Sequence, residues 1–240
     1  MPFGSNYSEE AEDINSEIEI LIHQEQDSVI YTPKGNCLLN NRVIYYFINL
    51  IAKALLSYQI TEKISFLSKY RKNVDIIFDK KMSLIDFPLF AFGVERHLYD
   101  SEGAKCAKKV LISKGKINDY LSNKEDASVL NCTGGNAFAF PTEFQRIIEP
   151  TNIILQISSG ESNIEPIDYI FDYVDLSFNF NIQNGDMSGI IWGRKLTGIN
   201  KGYCRLEIND NIINFFNNIT AVGRMHQYSG YYFPLISRVF

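Results

Sequence analysis

At 240 residues and 27.5 kDa the chain can bury a sizeable core, as one large domain or two small ones. A formal net charge of -5 and a pI of about 5.3 exclude a surface built to neutralise nucleic-acid phosphates, and the short basic run 69–72 reads as a solvated face. With 45% hydrophobic and 13% aromatic residues, the composition is that of an ordinary globular protein.

Residues 1–16 are acidic, polar and without period, so they are expected to form a flexible tail, with 17–240 a single domain. An acidic start with no long apolar stretch behind it is unlike a secretory signal, which predicts a cytoplasmic protein. Short apolar runs predict strands at 18–22 and 28–31, and a loop at 32–36 feeds the longest apolar run, 42–56. That run is short for a bilayer span and carries Asn49 and Lys53 near its middle, both costly in hydrocarbon. Ile44, Phe47, Ile48, Ile51 and Leu55 recur at helical spacing, while Arg42, Tyr46, Asn49, Lys53 and Ser57 take the other side. The pattern predicts an amphipathic helix packed on a sheet.

Further along, 74–78 is β-branched and aromatic between polar boundaries and predicts a strand. Within 104–121, Lys114-Gly115 predicts the tight turn of a hairpin. A strand is predicted over 152–157, between Pro150 and the Ser158-Ser159-Gly160 breaker, and looser alternation marks 169–182, 188–196 and 202–208. Asp210 is the expected N-cap of a helix over 211–219, with Ile212, Phe216 and Ile219 on one face and Gly223 ending it. Many short strands, close turns and two main helices predict an α+β fold around a mostly antiparallel sheet.

Several local motifs occur in a telling order: D-S-E-G-A-K-C-A-K-K-V-L-I-S-K-G-K-I-N-D-Y-L (100–121), the Gly134-Gly135-Asn136 loop, P-T-N-I-I-L-Q-I-S-S-G-E (150–161), N-G-D-M-S-G (184–189) and N-I-I-N-F-F-N-N-I-T-A-V-G (211–223). This series resembles the C-terminal region of the TldD/PmbA family, bacterial peptide-processing proteases also called modulators of gyrase. The likeness runs from about Val29 to near the C-terminus. Members usually carry a further N-terminal domain, which is expected to be absent here.

In the catalytic TldD branch the resemblance implies a zinc-binding H-E-x-x-x-H and a cysteine ligand near the C-terminus. The corresponding segment here, P-K-G-N-C-L-L-N-N-R-V (33–43), holds neither histidine nor glutamate, and no cysteine follows Gly223. The three histidines, His23, His97 and His226, lie far apart without ligand spacing, so no metal or other cofactor is expected in this chain. No catalytic residue is assigned. Cys37, Cys106, Cys132 and Cys204 form no C-x-x-C pair and read as reduced thiols. Cys132 is the one candidate nucleophile, since the small residues after it offer backbone amides for an oxyanion; its plainer reading is a small hydrophobe in a tight loop.

Gly134, Gly135 and Asn136, together with Asn184, Gly185, Asp186, Met187 and Ser188, are candidate residues of a peptide cleft. In the family the second group borders the channel where an extended substrate pairs with exposed backbone; its plain reading is a hairpin turn. The ligand-poor pattern resembles the PmbA (TldE) branch. That implies a non-catalytic subunit pairing with a zinc-bearing TldD-like protease on unfolded peptides, in a pathway such as maturation of a ribosomal peptide precursor, or a homodimer when alone. The alternatives are an independent hydrolase built on Cys132 and a stand-alone peptide-binding scaffold. Neither nucleic acid nor membrane is an expected partner.

Overall fold

The computed structural model describes residues 35–93, 96–139, 146–158, 166–196, 203–219, 221–228 and 231–239. Strand β1 (Asn36–Leu39) runs straight into helix α1 (Asn41–Ala54), followed by the short α2 (Ser57–Thr61) and a 3-10 turn at Phe66–Lys69. Next come β2 (Met82–Asp86), β3 (Lys109–Ser113), β4 (Lys116–Ile117), helix α3 (Lys124–Leu130), the small pair β5 (Ala137–Ala139) and β6 (Arg146–Ile148), and β7 (Ile153–Ile157). The chain continues through β8 (Tyr169–Val174), β9 (Asn179–Phe180), β10 (Asp186–Lys195), β11 (Tyr203–Asn211), α4 (Ile212–Asn217), β12 (Ala221–Tyr228) and β13 (Tyr231–Val239).

The fold is α+β. One large sheet has the order β11-β10-β8-β1-β13-β7-β2-β3-β4, with β12 added to β13 and β9 to β10. It is mostly antiparallel; β1 with β8 and β13 with β7 are the parallel pairs. β13 joins the two halves, because its Ile236 opposes Leu39 of β1 while its Tyr232 opposes Ile154 of β7. Both strands predicted at 18–22 and 28–31, the tail 1–16 and the His23 position lie outside the described residues.

α1 follows from its sequence. Ile44, Phe47, Ile48, Ile51 and Leu55 are all fully buried, as the helical spacing requires, and α1 packs on β8, β12 and β13. Phe47 meets Phe215 at 4.5 Å and Phe178 at 5.5 Å between ring centroids, which ties α1 to α4 and to the β8–β9 turn. No helix of the described residues is long and apolar enough to cross a membrane.

The hairpin at Lys114-Gly115 forms as expected: both residues have positive φ, 48° and 76°, the geometry of a two-residue turn whose twist matches its strands. Glycine is required at 115, where a Cβ would stand 2.0 Å from the Phe78 carbonyl oxygen. That contact also explains a correction. Residues 74–78 form no strand; Ile77 and Phe78 donate their backbone N–H groups to Gly115 O, leaving Val74 and Ile76 exposed beside the hairpin.

A second correction concerns α4. Its N-cap is Asn211 rather than Asp210: Asn211 Oδ1 accepts from Ile213 N at 3.1 Å, and Asp210 Oδ1 accepts from Asn211 N at 2.7 Å. The helix stops at Asn217 with Asn218 as its C-cap, and Gly223 belongs to β12.

Candidate functional site

Segment 33–43, where the sequence comparison looks for metal ligands, is the junction of β1 and α1. Asn40 is the hinge of that junction. Its extended backbone (φ -73°, ψ 164°) leaves the strand, and its side-chain oxygen accepts from Asn41 N at 2.6 Å at the start of the helix. Its amide nitrogen then donates to Asp172 Oδ1 at 2.8 Å.

Asp172 reaches Asn40 because β8 is bulged there. Trp192 opposes Tyr173 while Gly193 opposes Phe171, so Asp172 is the extra residue between two cross-strand pairs. Such a bulge re-aims a side chain out of the regular alternation. Its second oxygen accepts from Arg194 Nε at 3.1 Å; the Asp172 side chain is 5% exposed and that of Arg194 is 50% exposed. Beside them the Arg42 guanidinium lies 5.4 Å from the Tyr173 ring centroid. One polar atom of this corner is left over: Asn41 Oδ1 is buried and has no hydrogen-bond partner among the described residues.

The donor set does not fit zinc. Carboxamides are poor zinc ligands, and the carboxylate at hand is engaged by Asn40 and Arg194. The nearest thiol, Cys37, is held protonated: burial, and then the charge of Asp168, push it up to about 12, and its Sγ donates to Gly35 O at 3.6 Å. Among the described residues no three His, Cys, Asp or Glu side chains stand close enough to hold a metal ion. What this corner leaves exposed is the outer part of the Arg194 side chain, a cationic group beside a buried, engaged carboxylate.

Cys132 lies elsewhere, after α3. Asn131 leaves that helix in the left-handed conformation at φ 47°, and Cys132 N donates to Ala127 O at 3.0 Å. Burial pushes the half-buried thiol up; a hydrogen bond with Ser122 pulls the other way. Two amides of its loop are already used, Thr133 N by Asp119 Oδ1 at 3.3 Å and Asn136 N by Ser122 O at 3.1 Å. His97 packs against Phe138 with the rings tilted by 41° and their centroids 4.8 Å apart, and His226 sits in β12 opposite Phe233.

Gly134 and Gly135 carry the chain from Cys132 to Asn136, which is fully buried. Gly135 has φ +100°, and a Cβ there would come within 2.6 Å of Lys105 O. Asn136 ties a knot inside the sheet's other end. Its amide nitrogen donates to Asp86 Oδ2 at 2.8 Å and to Glu149 O at 3.0 Å, while its oxygen accepts from Lys109 Nζ. Thr151 donates both its backbone N–H and its hydroxyl to Asp86 Oδ1 at 2.7 Å. Burial pushes Asp86 up and Lys109 down, and the hydrogen bonds and opposite charges around them hold both back. The Asn136 amide therefore faces the interior.

Asn184, Gly185, Asp186, Met187 and Ser188 form the β9–β10 turn and the start of β10. Asn184 Oδ1 accepts from Asp186 N at 3.0 Å, and Asn211 Nδ2 donates to Asn184 O at 3.0 Å and to Asp186 Oδ1 at 2.9 Å. Met187 is buried; Ser188 is exposed, between Asn179 and Asn209. Five strand positions separate β10 from β2, about 24 Å along the sheet at ~4.8 Å per strand. The two groups of cleft candidates are thus not brought together. The polar corner at Asn40, Asp172 and Arg194 was missed; a carboxylate inside the apolar run Y-I-F-D-Y-V is the signal that marks it.

Residues 32–237 match the family model of the PmbA/TldA metallopeptidase C-terminal domain. The chain belongs to that family. TldE from Thermococcus kodakarensis superposes with a TM-score of 0.72 at 16% identity, over 95% of this chain and 55% of that one. A protein described as a modulator of a DNA gyrase from Thermotoga maritima gives 0.69 at 18%, covering 88% of this chain and 50% of its own. A similarly described protein from Bacteroides thetaiotaomicron gives 0.66 at 16%, covering 93% and 51%. At such identities the likeness is one of fold, and this PmbA/TldA chain spans about half the length of each. Among curated protein sequences, none matches.

Proposed function

We propose that this chain is a non-catalytic, TldE-like subunit that docks on a zinc-bearing TldD-like protease and helps hold an extended peptide for cleavage. The observation that carries the reading is the β1–α1 junction. The segment 33–43, which by resemblance corresponds to the metal-binding segment of a hydrolytic member, holds neither histidine nor glutamate, and the carboxylate packed against it, Asp172, is committed to Asn40 and Arg194. The half-exposed Arg194 side chain suits a backbone carbonyl or the C-terminal carboxylate of an extended peptide. In this reading zinc belongs to the partner, the assembly works in the cytoplasm, and the substrate is an unfolded peptide such as a ribosomal precursor undergoing maturation.

The test is to purify the chain alone and with a zinc-bearing relative encoded beside it, then measure bound zinc and peptide hydrolysis. The isolated chain is expected to hold well under one zinc per molecule and to cleave nothing, whereas the pair cleaves, and Cys132→Ala leaves that rate unchanged. Cleavage by the isolated chain that a chelator spares and Cys132→Ala abolishes would establish the hydrolase instead. Peptide binding with no effect of the relative would leave a scaffold.

A further inference from the structure

Each oxygen of the buried Asp172 carboxylate has a donor, Asn40 Nδ2 at 2.8 Å on one and Arg194 Nε at 3.1 Å on the other. The second bond fixes the Arg194 guanidinium by its inner corner. Because it takes Nε, the edge formed by the two Nη nitrogens is left for a ligand, and half of the Arg194 side chain is exposed. A planar pair of donors already held in one orientation matches a carboxylate bidentately and loses little freedom on binding it.

The charges around Arg194 point the same way. Arg42 lies in the first turn of α1, which contains no acidic residue, and its guanidinium stands 5.4 Å from the ring centroid of Tyr173, the neighbour of Asp172. A helix N-terminus carries positive partial charge that favours anions and disfavours a cation in that turn. Two guanidinium groups and a helix N-terminus thus surround one buried carboxylate. The neighbouring acids are engaged: Asp168 accepts from Asn36 N at 3.2 Å, and Asp175 accepts from Ser177 N and Trp192 Nε1. From this geometry we infer that the group held at the β1–α1 corner is a carboxylate of the peptide, gripped bidentately by Arg194, whether the free C-terminus or an acidic side chain supplies it. This rests on the peptide-holding role proposed above and names the group that is held. A neutral backbone carbonyl is a weaker acceptor for a charged fork than a carboxylate is.

The test is isothermal titration calorimetry of the full chain, without the relative, against acetylated peptides of one neutral sequence: one with a free C-terminus, one amidated, and one amidated with a central glutamate. The free acid, the glutamate peptide or both should bind about tenfold more tightly than the neutral amide, and which of them does so identifies the source of the carboxylate. Arg194→Lys keeps a point charge beside Asp172 but loses the fork, so most of the preference should go. Arg194→Met alone would strand a buried charge; combined with Asp172→Asn it leaves none, and that double variant should keep the far-UV circular dichroism spectrum and show no preference. Equal affinity for the three peptides overturns the inference, as does the absence of binding up to about 1 mM or a preference that either variant leaves intact. The two readings fail separately. Cleavage by the pair, with no carboxylate preference in this chain, strikes only the present inference, whereas a clear preference beside an inactive pair strikes only the subunit reading.

Discussion

Asn40 and Asp172 hold the β1–α1 junction to the bulge of β8 through one hydrogen bond of 2.8 Å. The same Asn40 side chain caps α1, so a single residue sets where the strand ends, where the helix begins and where a buried carboxylate points. Asn40→Ala should therefore cost more than a simple cap, about 1 kcal/mol for the lost cap and a further 1–3 kcal/mol for the donor withdrawn from a buried acceptor. Urea denaturation provides the measurement. A loss below about 0.5 kcal/mol would show that the junction tolerates Asp172 Oδ1 without the Asn40 donor, with Arg194 alone holding the carboxylate.

The four thiols should separate by reactivity. Cys37 and Cys204 are pushed up to about 12 and Cys106 to about 11, each chiefly by burial, so their thiolate fractions near neutral pH are negligible. Cys132 is the one thiol not fully buried. A thiol-specific chromogenic reagent should label one cysteine in the native protein and four after unfolding, and Cys132→Ala should remove the native signal. Rapid native labelling of two or more would mean that the β1 or β11 face, or the segment before β3 that holds Cys106, opens readily.

Parts of this architecture are legible in sequence because local rules and tertiary packing agree. α1 announces itself through five apolar positions at helical spacing, and the β3–β4 turn through Lys114-Gly115, whose positive φ angles few other pairs adopt cheaply. Where tertiary context decides, the pattern fails. β2 is only five residues, Met82–Asp86, and ends in a carboxylate that looks like a loop residue until Asn136 and Thr151 are placed around it. Residues 74–78 have strand composition, yet Asn73 at φ 62° and the crossing at Gly115 leave them no neighbour to pair with beyond the isolated Ile76–Lys116 bridge. The Asn40–Asp172 contact spans 132 residues and depends on a bulge, which no local pattern encodes.

At α4, Asn211 makes the cap and also holds the β9–β10 turn through Asn184 O and Asp186 Oδ1. Asn211→Ala should cost about 1 kcal/mol from the cap and another ~1 kcal/mol from the lost turn contacts, exceeding the effect of the exposed Asn214→Ala. Phe216, 2% exposed, should cost about 3–5 kcal/mol on truncation to alanine. A Phe216→Ala protein with an unchanged denaturation midpoint would mean that this helix face does not carry the core.

The chain's single tryptophan reports on a titration. Trp192 Nε1 donates to Asp175 Oδ2 at 2.9 Å, and Ser177 N donates to Asp175 Oδ1 at 2.8 Å. Burial pushes the Asp175 carboxyl up, but the bonds from Ser177 and Trp192 outweigh it and hold the group below its ordinary value of 3.8. A carboxylate depressed in the folded state stabilises the fold above its unfolded pKa and loses that contribution as pH falls through the folded value. Trp192 emission should therefore stay flat down to about pH 4 and change below it, together with a loss of stability over the same window. Asp175→Asn should abolish that step while keeping an acceptor for the indole. An emission change centred near pH 6 would show instead that a different group governs Trp192.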